Sequence, residues 1–316
     1  MLREVNSMGE VCIKEIQYGQ WGNCVEVSNG IIDLVATLDF GPRIIRFGLV
    51  GRENEFFEDV EKKLCAKGKA FEVFGGGEWY IYGGHRLWTS PEGKPRSYYP
   101  DNQKVAWGKT ENGICLTPEP EKGTQVQKEI EVIMCPDEAK VKVIHRITNT
   151  GIWDIEFAPW ALSVMAPGGK EVVPQPQRDT GLLGNRILAL WPYTRMNDKR
   201  VYWGEQFITL RQDPTENHKF KFGLTNEEGW AAYFNHNNLF VKRYQHVQEG
   251  TYPDFGVSFE TFTNPVMLEI ESLGQLKNTA PGETAEHVEE WQMFADVSMP
   301  PNDEAAIEAI VNTYIR

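Results

Sequence analysis

Residues 141–148 read VKVIHRIT, and residues 126–133, a short distance upstream, read VQKEIEVI. In both stretches apolar and polar side chains alternate with a period of two, as in a β-strand that buries one face. Further β-type runs at 31–38, 44–50 and 239–244 lie between turn signals rich in Gly, Pro, Asn and Asp. The pattern predicts an all-β protein built from antiparallel strands.

The length and composition fit one domain. The chain has 316 residues, of which 41% are hydrophobic and 24% charged, ordinary values for a globular protein. All-β sandwiches of this size can fold as one unit, and no linker, internal repeat or low-complexity tract divides the chain. Helical patterning is clearest at residues 302–311, where Asn302 could cap a short helix that buries Ile307 and Ile310. We therefore predict a single domain over residues 1–316, an antiparallel β-sandwich with a short C-terminal helix.

The charge and the cysteines limit the partners. The formal net charge is −13, from 45 acidic and 32 basic residues, so we expect no nucleic-acid partner. No run approaches the roughly 18 apolar residues of a membrane span, and residues 1–8 lack the apolar region of a signal peptide. The five cysteines are scattered and have no metal-type spacing, which predicts reduced thiols. We expect a cytoplasmic protein without a membrane partner, metal or cofactor.

The most unusual segment is GGGEWYIYGGHRLWTSPE, residues 75–92. Its glycines let a ligand approach the backbone, and its aromatic rings offer flat faces. A sugar ring suits this combination, because its C–H face packs on aromatic rings while polar side chains bind its hydroxyls. We predict that His85, Arg86 and Trp88 line a sugar-binding cleft. The alternative is a structural loop with an aromatic cluster, and the segment matches neither the P-loop nor the dinucleotide-binding glycine motif.

A second cluster holds three further candidates. Alternation along residues 157–165 places Trp160 on one face of a strand, either as a core residue or in the cleft. Gln175 and Gln177 are set between prolines, where their amides could bind sugar hydroxyls or lie in a solvated loop. The sequence alone leaves both alternatives open.

Two carboxylates form a third cluster. Glu269 and Glu271 share one face of a predicted strand, because Leu268 and Ile270 between them face the core. That face is either bulk solvent, the usual environment of a carboxylate, or the floor of the cleft. In a cleft, such a carboxylate could act as a general base toward a sugar hydroxyl.

Two more arginines, Arg43 and Arg243, are candidate ligand anchors beside Arg86. Arginine binds carboxylates in bidentate fashion, so several arginines in one cleft would suit an acidic sugar or uronate. Asp254 could contact the ligand, neutralise one of these arginines, or hold a cation such as Ca²⁺.

The order of these motifs resembles the galactose mutarotase-like (aldose 1-epimerase) superfamily. The motifs at superfamily level are, in chain order, Gly41-Pro42-Arg43-Ile44, the Gly-Gly-His at 83–85, Thr148-Asn149, Glu271-Ser272-Leu273 and Pro281-Gly282-Glu283. More specific similarity, to an uncharacterised branch of that superfamily, lies in GGHRLW at 83–88, VMAPGG at 164–169, YPD at 252–254 and EIESLG at 269–274. The resemblance spans about residues 20–297.

The resemblance implies a β-supersandwich of two large antiparallel sheets with a sugar cleft on one concave face. Mutarotases open and close the pyranose ring with a histidine as general acid and a glutamate as general base. Glu271 matches the family's glutamate, and His85 falls in the Gly-Gly loop that helps to grip the sugar. Trp160 stands where the family has its acid histidine, and tryptophan cannot donate a useful proton. Either His85 or His145 supplies the acid, or the chemistry differs, or there is none; the pattern favours His145 as a packed core residue.

Three functions follow as hypotheses. The first is an aldose 1-epimerase-like isomerase that acts at the anomeric centre of a small carbohydrate, with Glu271 as base and His85 as acid or positioning residue. The second is a non-catalytic carbohydrate-binding or sugar-sensing protein that kept the cleft. The third is a lyase or hydrolase on the same scaffold that uses Glu269 and Glu271, or His85, as its pair.

Overall fold

The computed structural model describes residues 9–316, which form two large antiparallel β-sheets. The expectation about a signal peptide falls on residues 1–8 and lies outside the described residues. The strands are β1 Cys12–Gln17, β2 Asn23–Ser28, β3 Ile32–Thr37, β4 Ile44–Leu49, β5 Cys65–Ala66, β6 Trp79–Tyr80, β7 Gly84–Ser90, β8 Ala106–Thr110, β9 Gly113–Thr117, β10 Val126–Met134, β11 Lys140–Asn149, β12 Ile155–Met165, β13 Lys170–Pro174, β14 Leu188–Leu190, β15 Val201–Trp203, β16 Phe207–Arg211, β17 Phe220–Leu224, β18 Trp230–Asn235, β19 Asn238–Tyr244, β20 Phe259–Thr263, β21 Leu268–Leu273, β22 Lys277–Thr279 and β23 Thr284–Ala295. The helices are α1 Pro253–Gly256, a single turn, and α2 Glu304–Tyr314. Within residues 9–316, neither helix has the length and apolar content to cross a bilayer.

The first sheet has the strand order β1-β2-β3-β4-β7-β12-β21-β20-β17-β14, with β22 paired to β12. The second sheet has the order β15-β16-β13-β18-β19-β23-β11-β10-β9-β8, and β5 and β6 form a separate pair. The two sheets pack around one apolar core, in which the Trp291 ring of the second sheet lies 5.4 Å from the Phe47 ring of the first. This architecture confirms the predicted all-β antiparallel sandwich with a short C-terminal helix.

The two alternating stretches at residues 126–133 and 141–148 form the paired strands β10 and β11, with Ile130 opposite His145. His145 is fully buried between the sheets together with Val143. On the outer face, the Arg146 guanidinium forms ion pairs with Glu129 at 2.8 Å and with Glu131 at 2.9 Å. The period-two pattern thus predicted both the strands and the buried face, and His145 is the core residue that the pattern favoured.

The C-terminal helix α2 covers the outer face of the second sheet. Ile307 and Val311 pack into an apolar cluster there with Trp230 and its neighbours. The helix is capped by Asp303, whose carboxylate accepts a hydrogen bond from the backbone of Ala306 at 2.9 Å. The predicted cap, one residue earlier, was wrong: the Asn302 side chain instead accepts hydrogen bonds from Lys170 and Thr209 of the sheet.

Candidate functional site

Three neighbouring strands of the first sheet, β7, β12 and β21, place two of the predicted site residues, Arg86 and Glu271, in one row across the strands. Leu162 of β12 lies opposite Arg86 of β7 on one side and opposite Glu271 of β21 on the other. Side chains that lie opposite each other point to the same face, so Arg86 and Glu271 share one. Their sequence neighbours Leu87 and Ile270 belong to the core between the sheets. The shared face is therefore the outer face of the first sheet.

A cavity of about 370 Å³ lies on this outer face, within the range of roughly 300–1,000 Å³ for small-molecule pockets. We call it the Glu271 cavity. Its aromatic lining residues are Trp79, Trp88, Tyr98, Trp160, Trp191, Tyr193 and Phe262. Its charged lining residues are Arg86, Glu92, Lys219, Lys221, Glu269 and Glu271. The structure thus brings together five of the residues that the sequence singled out, namely Arg86, Trp88, Trp160, Glu269 and Glu271.

The Glu271 carboxylate is fully buried and only half satisfied. Its Oε2 atom accepts hydrogen bonds from Trp160 Nε1 and Lys221 Nζ, both at 3.0 Å. Its Oε1 atom is buried without a hydrogen-bond partner among the described residues. Burial raises the pKa of Glu271 to about 7, against the attraction of Lys221 and with help from the negative charge of Glu269. The cavity therefore contains a carboxyl group that can gain or lose a proton near neutral pH.

Lys221 of β17 bridges two carboxylates beside the cavity. Its Nζ atom lies 2.6 Å from Glu260 Oε2 and 3.0 Å from Glu271 Oε2. The same ammonium lies 4.8 Å from the centre of the Trp160 ring and 4.6 Å from that of Trp191. Burial alone would lower the pKa of Lys221, but the two glutamates raise it above its ordinary value. Lys221 is therefore charged at neutral pH.

Arg86 lies on the other side of the cavity, against two indole rings. Its guanidinium is 4.4 Å from the centre of the Trp88 ring and 5.6 Å from that of Trp79. Arg86 Nη1 contacts Glu269 Oε1 at 2.9 Å, yet neither of these atoms, nor Arg86 Nε, has a well-aligned hydrogen bond within residues 9–316. The solvent alternative for Glu269 is wrong, because this side chain is buried in the ion pair. Donors and acceptors thus stand side by side, which suits a ligand with hydroxyl groups.

The structure corrects the placement of His85. Successive side chains of a strand point to opposite faces, so His85 faces the core while its neighbour Arg86 faces the cavity. His85 is fully buried, with Nδ1 2.8 Å from Ser163 Oγ and Nε2 2.7 Å from His145 Nε2. Burial, aided by nearby positive charge, holds the pKa of His85 well below its usual range, so the ring is neutral. His85 cannot reach a ligand in the cavity.

His145 is equally remote. Its Nδ1 atom lies 2.9 Å from the carbonyl oxygen of His287 and must donate to it. Burial lowers the pKa of His145, so its ring is neutral and its Nε2 atom accepts the proton of His85 Nε2–H, while Ser163 donates to His85. Both candidate acid histidines are satisfied partners in a buried network.

The remaining arginines and the aspartate lie outside the Glu271 cavity. Arg43 is buried in an ion pair with Asp101, its Nη2 donating at 3.2 Å. Arg243 donates to the C-terminal end of α2, at Ile315 O, at 3.1 Å. Asp254 lies in the turn α1 with a positive φ of 50°. A shared cleft for the three predicted arginines is therefore not formed.

The two glutamines are also elsewhere. The amide of Gln175 donates to the backbone oxygen of Gly204, and Gln177 is exposed and donates to the backbone oxygen of Gln175 at 3.1 Å. Neither lines the Glu271 cavity. The side-chain amides of both glutamines are therefore used in hydrogen bonds to the backbone of this region.

A larger cavity, of about 770 Å³, lies beside Arg43. Its arginine is already bound by Asp101, and none of its described lining residues has a buried polar side-chain atom without a partner. We regard the smaller Glu271 cavity as the functional candidate, because it holds buried donors and acceptors that only a ligand or water would satisfy.

Buried ligand atoms of one further group, His85, His145 and Glu289, lie within 4.8 Å of one another. Such a set can hold a metal ion in principle. Here Glu289 is already bound by Lys242 Nζ at 2.8 Å and by Trp291 Nε1 at 2.7 Å. These side chains already have hydrogen-bond partners within the core, so we treat the network as part of the core.

The sequence interpretation missed Lys221 and Glu260. Lys221 is the single charge in the apolar strand FKFGL, and a lysine flanked by two phenylalanines was the available signal. Glu260 likewise stands in FETFT, where burial depends on the pairing of β20 with β21. That pairing places Glu260 opposite Glu271, which no local pattern reveals.

The fold is that of galactose mutarotase-like proteins. The chain superposes on a candidate aldose 1-epimerase from Klebsiella pneumoniae with a TM-score of 0.56 and 12% identity, over 96% of this chain and 86% of that one. A candidate aldose 1-epimerase from Escherichia coli matches with a TM-score of 0.53 and 12% identity, over 90% of this chain and 100% of that one.

A TPR-domain-containing protein from Parabacteroides distasonis matches with a TM-score of 0.58 and 11% identity, over 86% of this chain. The chain spans about half of that protein, 47% of its length. No protein-family model matches the chain, and no curated protein sequence matches it. At such identities the likeness establishes the fold alone.

Proposed function

We propose that this protein binds a small sugar in the Glu271 cavity and catalyses mutarotation at its anomeric centre. The observation that carries the proposal is the Glu271 carboxylate, which is buried in an aromatic cavity. Its Oε1 atom has no partner among the described residues, and its Oε2 atom is held by Trp160 and Lys221. A pKa of about 7 suits a general base at neutral pH. Oε1 would accept the proton of the anomeric hydroxyl as the pyranose ring opens.

A neutral sugar fits this cavity better than a uronate. Arg86 is the one arginine among its described lining residues, and Glu269 already contacts it at 2.9 Å. A ligand carboxylate would have to compete with Glu269 and would lie in the same cavity as Glu271. We therefore propose a neutral aldose as substrate, with uronates as the comparison in the test.

A non-catalytic sugar-binding protein is the second candidate. One observation favours it: none of the described residues that line the cavity is a histidine, and Trp160 donates its indole N–H to Glu271. Binding would then use the same aromatic wall and the Arg86–Glu269 pair.

The test is a thermal-shift screen of neutral aldoses and uronates, followed by polarimetry on each sugar that binds. We expect neutral aldoses to stabilise the protein and to interconvert anomers faster than in buffer. The Glu271→Gln variant keeps the shape of the side chain and should lose about 100-fold or more in kcat, as expected when a general base is removed. Sugars that bind without any acceleration would leave only the binding function.

A further inference from the structure

Among the described residues that line the Glu271 cavity, Glu271 is the proposed base and none is a histidine that could serve as the acid. Ring opening of a pyranose needs a proton at the ring oxygen as well as a base at the anomeric hydroxyl. His85 of the first sheet and His145 of the second lie between the two sheets and are used in the buried network. The acid must therefore be sought among the non-histidine groups of the cavity wall.

Lys221 is the N–H donor best placed for this task. It lines the cavity, and its Nζ atom lies 3.0 Å from Glu271, so one small ligand ring can contact both groups. Glu260 fixes the ammonium at 2.6 Å from the neighbouring strand, and the rings of Trp160 and Trp191 flank it. The side chain is only 5% exposed, so its position is set by these contacts rather than by water.

We infer that Lys221 is the proton donor to the ring oxygen in the mutarotation proposed above, an assignment that rests on that function. In ring opening, Glu271 Oε1 takes the proton of the anomeric hydroxyl, and its O–H electrons form the carbonyl bond. The bond between the anomeric carbon and the ring oxygen breaks, and the ring oxygen takes a proton from Lys221 Nζ. In closure on the opposite face, Lys221 recovers that proton and Glu271 returns its own, so nothing is consumed.

Burial explains how an ammonium between carboxylates can release a proton. Burial raises the pKa of Glu271 to about 7, so this carboxylate changes charge near neutral pH. When Glu271 takes the sugar proton, a negative charge 3.0 Å from Lys221 disappears. With that charge gone, less attraction opposes the effect of burial, and the pKa of Lys221 falls. Lys221 thus becomes more acidic at the moment when the ring oxygen needs a proton.

Two substitutions separate proton donation from charge. Lys221→Arg keeps a positive charge beside Glu271, but a guanidinium does not release its proton at accessible pH. We expect kcat for the best neutral aldose to fall by about 100-fold or more, the lower part of the range for acid–base catalysis, with KM little changed. Lys221→Ala should be equally slow, and added ethylammonium should restore its rate but not that of the Arg variant.

The outcomes distinguish the two proposals. An active wild type together with a fully active Lys221→Arg variant overturns the role of Lys221 and leaves mutarotation standing. A wild type that binds sugars without accelerating mutarotation overturns both. Should Lys221→Ala fail to fold because it strands two buried carboxyls, the double variant Lys221→Ala/Glu260→Gln removes one of them, and the same amine rescue is measured there.

Discussion

At the scale of single residues, Glu271 shows how burial sets chemistry. Two N–H groups that donate to a carboxylate ordinarily lower the pKa of that carboxyl group below its value in water. Here complete burial outweighs the bonds from Trp160 and Lys221, and the pKa of Glu271 is about 7. Burial therefore disfavours the charged form of Glu271 in the folded protein.

This conflict predicts how the stability of the fold depends on pH. The pKa of Glu271 is raised on folding, so the unfolded chain releases the proton first as pH rises, and wild type loses stability up to about pH 7. Glu271→Gln cannot ionise. Between about pH 5 and about pH 8, its free energy of unfolding should improve relative to wild type by up to about 3 kcal/mol.

Urea unfolding of both proteins at the two pH values measures this difference. Glu111→Gln, in an exposed turn, controls for the substitution itself. If the free energies of unfolding of wild type and Glu271→Gln differ by the same amount at both pH values, the Glu271 carboxyl has the same pKa in the folded and the unfolded protein.

At the scale of elements, α2 depends on one cap. Asp303→Ala removes the acceptor for the Ala306 N–H and should lower the free energy of unfolding by about 1 kcal/mol. Asp303→Asn should retain most of the stability, because asparagine also caps helices well. Urea denaturation of the three proteins is the measurement. Equal losses in both variants would mean that the charge of Asp303, rather than the cap, stabilises α2.

Local patterns predicted the strands and one row of the cavity, because strand alternation is a property of neighbouring residues. They placed Glu271 opposite the core and made Arg86 and Trp88 cleft residues. They failed for His85, since the glycines before it drew attention to a loop, whereas β7 begins at Gly84 and sets the face of every residue that follows. Which strands adjoin is decided by long-range pairing, so Lys221 and Glu260 could not be joined to Glu271 from the sequence.

At the scale of the whole molecule, a buried polar network joins the two sheets. Ser272 of β21 donates to Glu289 of β23, and Lys242 of the second sheet donates to the Ile270 carbonyl of the first at 3.2 Å. Lys242 also pairs with Glu289 at 2.8 Å, and both side chains are fully buried. The core between the sheets is therefore held by a charged pair as well as by apolar packing.

Removal of one partner should be costly. Lys242→Met leaves the Glu289 carboxylate buried without its counter-ion, and we expect a loss of about 3–5 kcal/mol in the free energy of unfolding. The double variant Lys242→Met/Glu289→Gln removes both charges and should lose less than the single variant. Guanidinium denaturation measures each. If the double variant is less stable than Lys242→Met, the loss in the single variant does not come from leaving Glu289 without its counter-ion.

Two neighbouring side chains of β7, His85 and Arg86, serve opposite sides of the same sheet. The alternation of side chains along β7 therefore determines both which residues line the Glu271 cavity and which residues pack in the core. Inserting one residue just before His85 would turn its imidazole toward the Glu271 cavity and the Arg86 guanidinium toward the apolar interior. Tolerated insertions near this strand should therefore come in pairs or be absorbed by a bulge, and a scan of substitutions along it should alternate, residue by residue, between loss of activity and loss of stability.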